Sequence, residues 1–362
     1  MADRERGVRV MIAAGGTGGH VFPALAVAEA LAARGARVEW VGTARGLEAR
    51  LVPEAGLPLH TLPVRALRGR GAAAWLGAPF ALARPLAAAL ALVRRLRPHV
   101  VLGMGGYAAG PAGLAAWLVR RPLVVHEQNA VPGLTNRLLA PLARRVLAGF
   151  PDAFPPGPRV EVTGNPVRAD IAALPPPEAR WAGRSGPPRL LVLGGSQGAR
   201  ALNEALPAAL ARLAPGERPE VRHQAGARAA EAVRAAYARA GVAAEVTAFV
   251  EDMAEAYGWA DLAVARAGAL TVAELAAAGL GALLVPYPHA VDDHQRANAR
   301  WLERAGAAEV VREPLDPDAL AGRLRALLAD RAGLLARAQA ARRLARPDAA
   351  ARVAEACLEV AR

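Results

Sequence analysis

The chain has 362 residues, 54% of them hydrophobic, and its formal net charge of +13 is carried by arginine alone, because the sequence contains no lysine. A chain of this length exceeds what one hydrophobic core usually supports, so two domains are expected. A single cysteine, Cys357, excludes an intramolecular disulfide and a cysteine-based zinc site, and the N-terminus lacks the apolar core of a signal peptide, so a cytoplasmic location is expected.

The first half of the chain predicts short apolar strands that alternate with helices rich in alanine and leucine. The first strand, residues 8–14, runs directly into the glycine-rich stretch GGTGGH, and a helix is predicted over residues 23–34. Further strands are expected at residues 37–41, 100–102 and 123–126. This alternation predicts an α/β fold with parallel sheets, in which ligands bind to the loops that follow the strands.

The stretch between Glu54 and Glu127 contains nine arginines and no acidic residue. Residues 72–93 approach the length of a membrane span, but an arginine and two prolines interrupt them, so no transmembrane helix is predicted. Basic residues among apolar ones are typical of a surface that binds anionic lipid, and the alternative is a solvated arginine-rich face. No motif supports a nucleic-acid partner. The residues predicted at the membrane are Arg68, Arg70, Trp75, Leu76, Phe80, Arg84 and Trp117.

A proline-rich connection at residues 151–188 separates the halves, and we place the boundary at Gly164. The second half, residues 165–346, again begins with a strand, at 190–193, that runs into a glycine-rich stretch, GGSQG. Further strands are expected at residues 221–224, 246–249, 262–265 and 282–285. A last helix, within residues 347–360, could pack on either domain and complete the N-terminal one.

The two glycine-rich loops predict two phosphate-bearing ligands that meet between the domains, because amides converge on an anion at a helix N-terminus. The alternative for each loop is a tight turn required by helix packing. A nicotinamide-binding fingerprint fails at Val21, where the third glycine would stand. A P-loop nucleotide triphosphatase is excluded because its lysine is missing.

Two polar side chains near these loops are candidates for chemistry. His20 follows the first loop at the start of a helix, where the helix dipole favours a neutral ring that accepts a proton; the alternative is a structural histidine. Glu274, one turn into a helix after RAGALT, could accept two hydrogen bonds from a ribose diol or could cap the helix. No metal site is predicted, since residues 289–294 match no ligand spacing and Asp316 is better explained as a helix N-cap.

Seven motifs, in order over nearly the whole chain, closely resemble those of the MurG-type glycosyltransferases. They are GGTGGHVFPALAVAEAL, MGGYAAGPAGLAAW, HEQNAVPGLTNRLLA, GNPVR, GGSQGAR, RAGALTVAELAAAGL and DDHQRANA. The resemblance implies a GT-B fold, with two Rossmann-like domains whose sheets face a central cleft. It also implies inverting, metal-independent transfer of N-acetylglucosamine from UDP-N-acetylglucosamine to the 4-hydroxyl of the muramoyl sugar of lipid I, forming lipid II. The enzyme would be peripheral, on the cytoplasmic face of the plasma membrane, with other cell-wall synthesis proteins as possible partners and no cofactor.

The resemblance also assigns residues. Donor contacts are implied for Arg168, Ser196, Gln197, Val250, Ala269, Leu270, Thr271, Glu274, Gln295 and Asn298. Contacts from the N-terminal domain are implied for Thr17, Gly18, Gly19, Tyr107 and Asn129. His20 is the expected base, with Glu127 as its rival. The alternative functions are a UDP-sugar epimerase on the same scaffold and a noncatalytic module that binds a nucleotide sugar or a membrane.

Overall fold

The computed structural model of the protein describes residues 7–64, 78–195 and 198–362. The chain divides into two units, the first made of Met1–Arg168 and Arg346–Arg362 and the second of Ala169–Ala345. The first part of the first unit therefore ends four residues beyond the boundary expected at Gly164. The unit also includes the C-terminal residues of the chain, Arg346–Arg362.

A parallel sheet in the order β3-β2-β1-β4-β5-β6-β7 forms the centre of the first unit. Its strands are β1 (Arg9–Ala13), β2 (Arg37–Gly42), β3 (Leu59–Thr61), β4 (Val100–Gly103), β5 (Leu123–Glu127), β6 (Arg145–Ala148) and β7 (Val160–Val162). Its helices are α1 (Gly18–Ala32), α2 (Glu48–Glu54), α3 (Ala78–Leu96), α4 (Ala109–Leu118), α5 (Leu134–Leu139) and the C-terminal helix (Ala349–Val360).

Strand β1 shows why this sheet is buried on both faces. Val10 and Ile12 face a core that contains the C-terminal helix residues Val353 and Cys357, whereas Met11 faces the opposite core beneath α3 and α4. Successive side chains of a strand point to opposite faces, so the continuous apolar run fills both cores. The last helix thus packs in the first unit, where burial raises the pKa of the Cys357 thiol to about 12.

The second unit contains a parallel sheet in the order β10-β9-β8-β11-β12-β13. Its strands are β8 (Arg189–Leu193), β9 (Glu220–Gln224), β10 (Glu245–Thr247), β11 (Leu262–Ala265), β12 (Ala282–Leu284) and β13 (Ala308–Val310). Its helices are α6 (Ala169–Ala172), α7 (Pro177–Trp181), α8 (Arg200–Ala211), α9 (Ala230–Arg239), α10 (Met253–Trp259), α11 (Ala269–Ala278), α12 (His294–Arg304), α13 (Pro317–Ala329) and α14 (Arg331–Arg343).

The predicted α/β class is confirmed, since both sheets are parallel and covered by helices. Helix α1 begins at Gly18, five residues before the predicted start, with Pro23 inside it. The sequence analysis missed β3, β6, β7 and β13, whose sequences LHT, RVLA, VEV and AEV each contain a polar or charged residue, so no continuous apolar run marks them. The expected N-cap is confirmed: the Asp316 carboxylate accepts hydrogen bonds from the amides of Asp318 and Ala319.

Candidate functional site

Each sheet reverses its strand order beside the first strand of its unit, between β1 and β4 and between β8 and β11. Loops that leave a parallel sheet at such a point form the usual ligand crevice of an open α/β sheet. The first glycine loop, residues 15–19, follows β1, and the second glycine loop, residues 194–198, follows β8. Both predicted loops therefore lie at the position where binding is expected.

The first glycine loop rests on a buried carboxylate that the sequence analysis missed. Glu48 is fully buried, and its Oε2 accepts the amide of Gly16 at 2.9 Å. Its Oε1 accepts the amide of Thr43 at 2.9 Å and the Thr43 hydroxyl at 2.7 Å. No local signal marks Glu48, because its partners lie on the loops after β1 and β2 and meet only in the folded unit.

His20 lies in the first turn of α1, where its Nδ1 is 3.3 Å from the Thr17 hydroxyl. The loop after β4 closes against this ring: Gly105 has φ +90°, and a Cβ built on it would lie 2.8 Å from Cδ2 of His20. A Cβ on Gly106 would lie 2.2 Å from the carbonyl oxygen of Gly15. Two glycines thus allow the two loops to pack in direct contact around His20.

The Glu127 carboxylate is buried at the end of β5 and accepts four hydrogen bonds. Its Oε1 accepts the amide of Asn129 at 2.9 Å and the Asn129 side chain at 3.1 Å. Its Oε2 accepts the amide of Gly133 at 3.0 Å and the Asn136 side chain at 2.9 Å. Since every donor comes from residues 129–136, the carboxylate holds this loop in one conformation.

The neighbouring His126 is buried and neutral. Its Nε2 donates to the carbonyl oxygen of Gly164 at 3.0 Å, and its Nδ1 accepts from the Gln128 side chain at 3.0 Å. Burial lowers the pKa of His126 to about 4, although the hydrogen bond to Gly164 and the charge of Glu127 oppose this shift. His126 therefore links the end of β5 to the segment after β7, near the end of the first unit.

The other residues predicted in the first unit lie on the same loops. Thr17, Gly18 and Gly19 form the end of the first glycine loop and the start of α1, and Asn129 is held by Glu127. Tyr107 follows β4 and is 46% exposed. Arg168 is the last residue of the first unit before Ala169.

The second glycine loop is tied to strand β9. The amide of Gly194 donates to the carbonyl oxygen of Gln224 at 3.0 Å, and the Gln224 side chain both accepts from and donates to the backbone of Gly195. Gly198 has φ +75°, and a Cβ on it would lie 2.4 Å from the carbonyl oxygen of Ala225. The predicted residues Ser196 and Gln197 lie outside the described residues.

Helix α11 carries four more of the residues predicted to bind the sugar-nucleotide donor. Gly268 is its N-cap, so the amides of Ala269, Leu270 and Thr271 belong to its first turn, which attracts negative charge. Glu274 is not a cap: its Oε2 accepts the buried Tyr257 hydroxyl at 2.9 Å. The sequence analysis missed Tyr257, which lies on α10 and approaches Glu274 only through helix packing.

Asn298 and Gln295, whose side-chain amides are predicted to contact the sugar, belong to α12, which packs beside α11. Asn298 is buried and donates to the carbonyl oxygen of Ala267 at 3.1 Å. The Gln295 side-chain oxygen accepts the amide of Tyr287 at 2.9 Å. Val250 lies in the loop after β10, at the same edge of the sheet. The described part of the chain contains no cluster of three or more side chains suited to a metal ion.

The residues predicted at the membrane are only partly described. Arg68, Arg70, Trp75 and Leu76 lie outside the described residues, and so does the side chain of Phe80. Arg84 on α3 and Trp117 on α4 are exposed. Within the described ranges no helix has the length and apolarity needed to cross a membrane. Among the described residues of the first unit, five large apolar side chains on α4, α5 and the loop after β4 are individually exposed: Tyr107, Trp117, Leu118, Leu134 and Leu138.

Two family models match the two halves of the chain. Residues 10–148 match the glycosyltransferase family 28 N-terminal domain, and residues 189–353 match the glycosyltransferase family 28 C-terminal domain. The chain is 60% identical, over 97% of its length and 98% of the relative, to a protein of Acidithiobacillus ferrooxidans. That relative is named UDP-N-acetylglucosamine–N-acetylmuramyl-(pentapeptide) pyrophosphoryl-undecaprenol N-acetylglucosamine transferase.

Solved structures resemble the chain over nearly its full length. The crystal structure of MurG from Acinetobacter baumannii matches with a TM-score of 0.84 and 40% identity, and the alignment covers 97% of this chain and 99% of that one. A UDP-GlcNAc 2-epimerase from Neisseria meningitidis matches with a TM-score of 0.67 at 12% identity, over 98% of this chain and 100% of that one, which shows a shared fold alone.

Proposed function

The chain belongs to the MurG-type glycosyltransferases of family 28, and from this membership we infer that it transfers N-acetylglucosamine from UDP-N-acetylglucosamine to lipid I, forming lipid II. The observation that carries this function is 60% identity to a named transferase over 97% of the chain. The fold alone would not distinguish a transferase from an epimerase. The presence of both matched domains also argues against a noncatalytic module.

The second unit is proposed to bind the donor. Helix α11 begins just after β11, beside the point where the strand order reverses between β8 and β11, and the amides of its first turn suit the charge that develops on the leaving UDP. Glu274 is proposed to accept hydrogen bonds from the ribose diol, with its carboxylate oriented by Tyr257. Gln295, on the neighbouring α12, is proposed to contact the sugar hydroxyls. Asn298, predicted for the same contact, is fully buried, so it is proposed to hold the segment before α11 through its hydrogen bond to Ala267.

The first unit is proposed to bind the acceptor, with His20 as the general base. The acceptor 4-hydroxyl loses its proton to the imidazole as its oxygen attacks the anomeric carbon and the bond from that carbon to the UDP oxygen breaks, with inversion. Glu127 suits this role less well, because both its oxygens already accept two hydrogen bonds each. We assign Glu127 the task of holding the loop that carries Asn129.

A transfer assay tests this function. Labelled N-acetylglucosamine should pass from its UDP donor to a lipid I analogue, in preference to glucose or N-acetylgalactosamine from the corresponding donors. We propose that transfer also survives a chelator, because backbone amides, in place of a metal ion, stabilise the negative charge on the leaving UDP. Consumption or epimerisation of the donor without transfer would contradict the assignment. His20→Ala should lower kcat by about 100- to 10,000-fold and leave the affinity for UDP unchanged, whereas undiminished turnover would exclude His20 as the base.

We further propose peripheral attachment of the first unit to the cytoplasmic face of the plasma membrane. Two of this unit's exposed apolar side chains are Trp117, which is 48% exposed, and Leu138, which is 66% exposed. Arg137, on the same helix as Leu138, adds a positive charge that attracts anionic headgroups. Trp117→Ser combined with Leu138→Ser should weaken binding to vesicles that contain phosphatidylglycerol about tenfold. Phe249→Ser, in the second unit, is the matched exposed apolar control and should leave vesicle binding unchanged.

A further inference from the structure

The side chain of Glu48 leaves no room for a Cβ at three positions on three different segments of the first unit, and all three positions are glycine. A Cβ on Gly15 would lie 2.4 Å from Oε1 of Glu48, and one on Gly46 would lie 2.0 Å from Oε2. A Cβ on Gly42, at the end of β2, would lie 2.6 Å from Cγ of Glu48. Real Cβ atoms do not approach other atoms so closely, so the space around this carboxylate is closed on three sides.

Glu48 also determines the use of the first glycine loop. The amide of Gly16, which a phosphate cradle would direct at its anion, instead donates to Oε2 of Glu48 at 2.9 Å. Gly15 is therefore required by the carboxylate on which it rests. Gly16, whose Cβ position has no atom within 4 Å, is instead required by its φ of +99°.

The contacts continue from Glu48 to His20. Gly15, held against Glu48, is the residue on which Gly106 packs, and the adjacent Gly105 packs on the His20 ring. The other end of the loop is Thr17, whose carbonyl oxygen accepts the amide of His20 at 3.1 Å. A shift of Gly15 and Gly16 would thus change the position of His20 from two directions.

We propose that Glu48 is a positioning residue for transfer, which acts by holding the first glycine loop so that His20 meets the acceptor hydroxyl. This role rests on the proposed function of His20 as the base. Three donors converge on Glu48, namely two amides and one hydroxyl. Glutamine has only one side-chain oxygen, so its NH2 group would oppose one of these N–H donors and displace the loop.

Kinetics of Glu48→Gln test the proposal. The kcat should fall about 10- to 100-fold, because a displacement of about 1 Å has this effect on a catalytic group. The KM for UDP-N-acetylglucosamine should change by less than about twofold, since the donor binds to the second unit. Glu54→Gln is the matched control: Glu54 ends the same helix, and its side chain is 55% exposed, so its kcat should stay unchanged.

The His20→Ala background separates positioning from general stability. If Glu48 acts through His20, Glu48→Gln should change the residual rate of His20→Ala by less than about twofold. If Glu48→Gln lowers the residual rate of His20→Ala as much as it lowers the rate of the wild type, the proposal is overturned. A wild-type kcat in Glu48→Gln, together with an inactive His20→Ala, would also overturn it. Full activity of His20→Ala itself would instead overturn the assignment of the base.

A second variant, Thr43→Val, tests the proposal even if Glu48→Gln does not fold. Thr43→Val keeps the carboxylate but removes its hydroxyl donor at 2.7 Å. Introduced alone, Thr43→Val should lower kcat about threefold. Added to His20→Ala, it should leave the residual kcat of that variant unchanged. An unchanged kcat in Thr43→Val, with an unchanged thermal midpoint, would also count against the proposal.

Discussion

The hydroxyl of Tyr257 donates to Oε2 of Glu274 at 2.9 Å inside the second unit. Tyr257 is fully buried, and Glu274 is 9% exposed. The bond joins α10 to the helix whose first turn is proposed to bind the diphosphate, and it orients the carboxylate proposed for the ribose. A residue outside both glycine loops therefore bears on the affinity for the donor.

Replacement of Tyr257 by phenylalanine should weaken UDP binding about tenfold with little change in kcat. A hydrogen bond to a charged group contributes about 1.5–3 kcal/mol, and its loss leaves the carboxylate less well oriented. Calorimetric titration with UDP measures this effect. Tyr237→Phe is the matched control, because Tyr237 is also buried in the second unit but contacts His223. Equal UDP affinity in Tyr257→Phe and wild type would contradict the role of the bond.

Gly105→Ala should lower kcat about tenfold, because its Cβ would meet Cδ2 of His20 at 2.8 Å. Gly105 also has φ +90°, so alanine is strained there in any case. Gly56→Ala separates the two effects, since Gly56 has φ +71° and no atom within 4 Å of its Cβ position. Steady-state kinetics should show normal kcat for Gly56→Ala, and similar losses in both variants would refute the contact with His20.

Arg180→Met should lower the free energy of unfolding by about 2–3 kcal/mol, because it leaves helix-end carbonyls without their donor. The Arg180 guanidinium donates to the carbonyl oxygens of Ala278 at 2.6 Å and Gly279 at 2.7 Å, at the C-terminal end of α11. Burial lowers the pKa of Arg180 to about 10, so it remains charged at neutral pH.

Urea denaturation measures the effect of Arg180→Met. Arg200→Met is the exposed control, because the Arg200 side chain is 89% exposed in its pair with Glu204. The free energy of unfolding of this control should lie within about 0.5 kcal/mol of the wild type. A stability loss of the same size in both variants would show that the helix-end contacts contribute nothing specific.

The protein should lose stability as the pH falls below about 6.5, in part because of His126 and His223. Burial lowers the pKa of each from 6.5 to about 4. Between these values the unfolded chain binds protons that the folded protein excludes, so each histidine lowers the free energy of unfolding by about 1.4 kcal/mol per pH unit. Above the upper value both states are neutral and this contribution no longer changes.

Denaturation between about pH 7 and pH 5 tests this dependence. His223→Gln removes one of the two groups and keeps a side-chain donor for Oδ1 of Asn203, which accepts from Nε2 of His223 at 3.1 Å. The slope of stability against pH should therefore be shallower in the variant than in the wild type. Identical slopes would mean that His223 titrates normally in the folded protein.

The sequence by itself determined the alternation of strands and helices, the parallel sheets and the positions of both glycine loops. These features follow from periodicity and from residues adjacent in the chain, so a single segment carries the signal. The family also followed from motifs read in order. His20 was a candidate for the same reason, since its place after the first glycine loop is visible in GGTGGH.

Only the tertiary structure decided which side chains support these loops. Glu48 reaches Gly16, and Tyr257 reaches Glu274, across segments that no local pattern connects. The packing of the C-terminal helix into the first unit was likewise open, because its apolar face suits either core. Such contacts depend on how whole elements pack, and the free energy of that packing is shared among many distant residues, so no short stretch of sequence reports it.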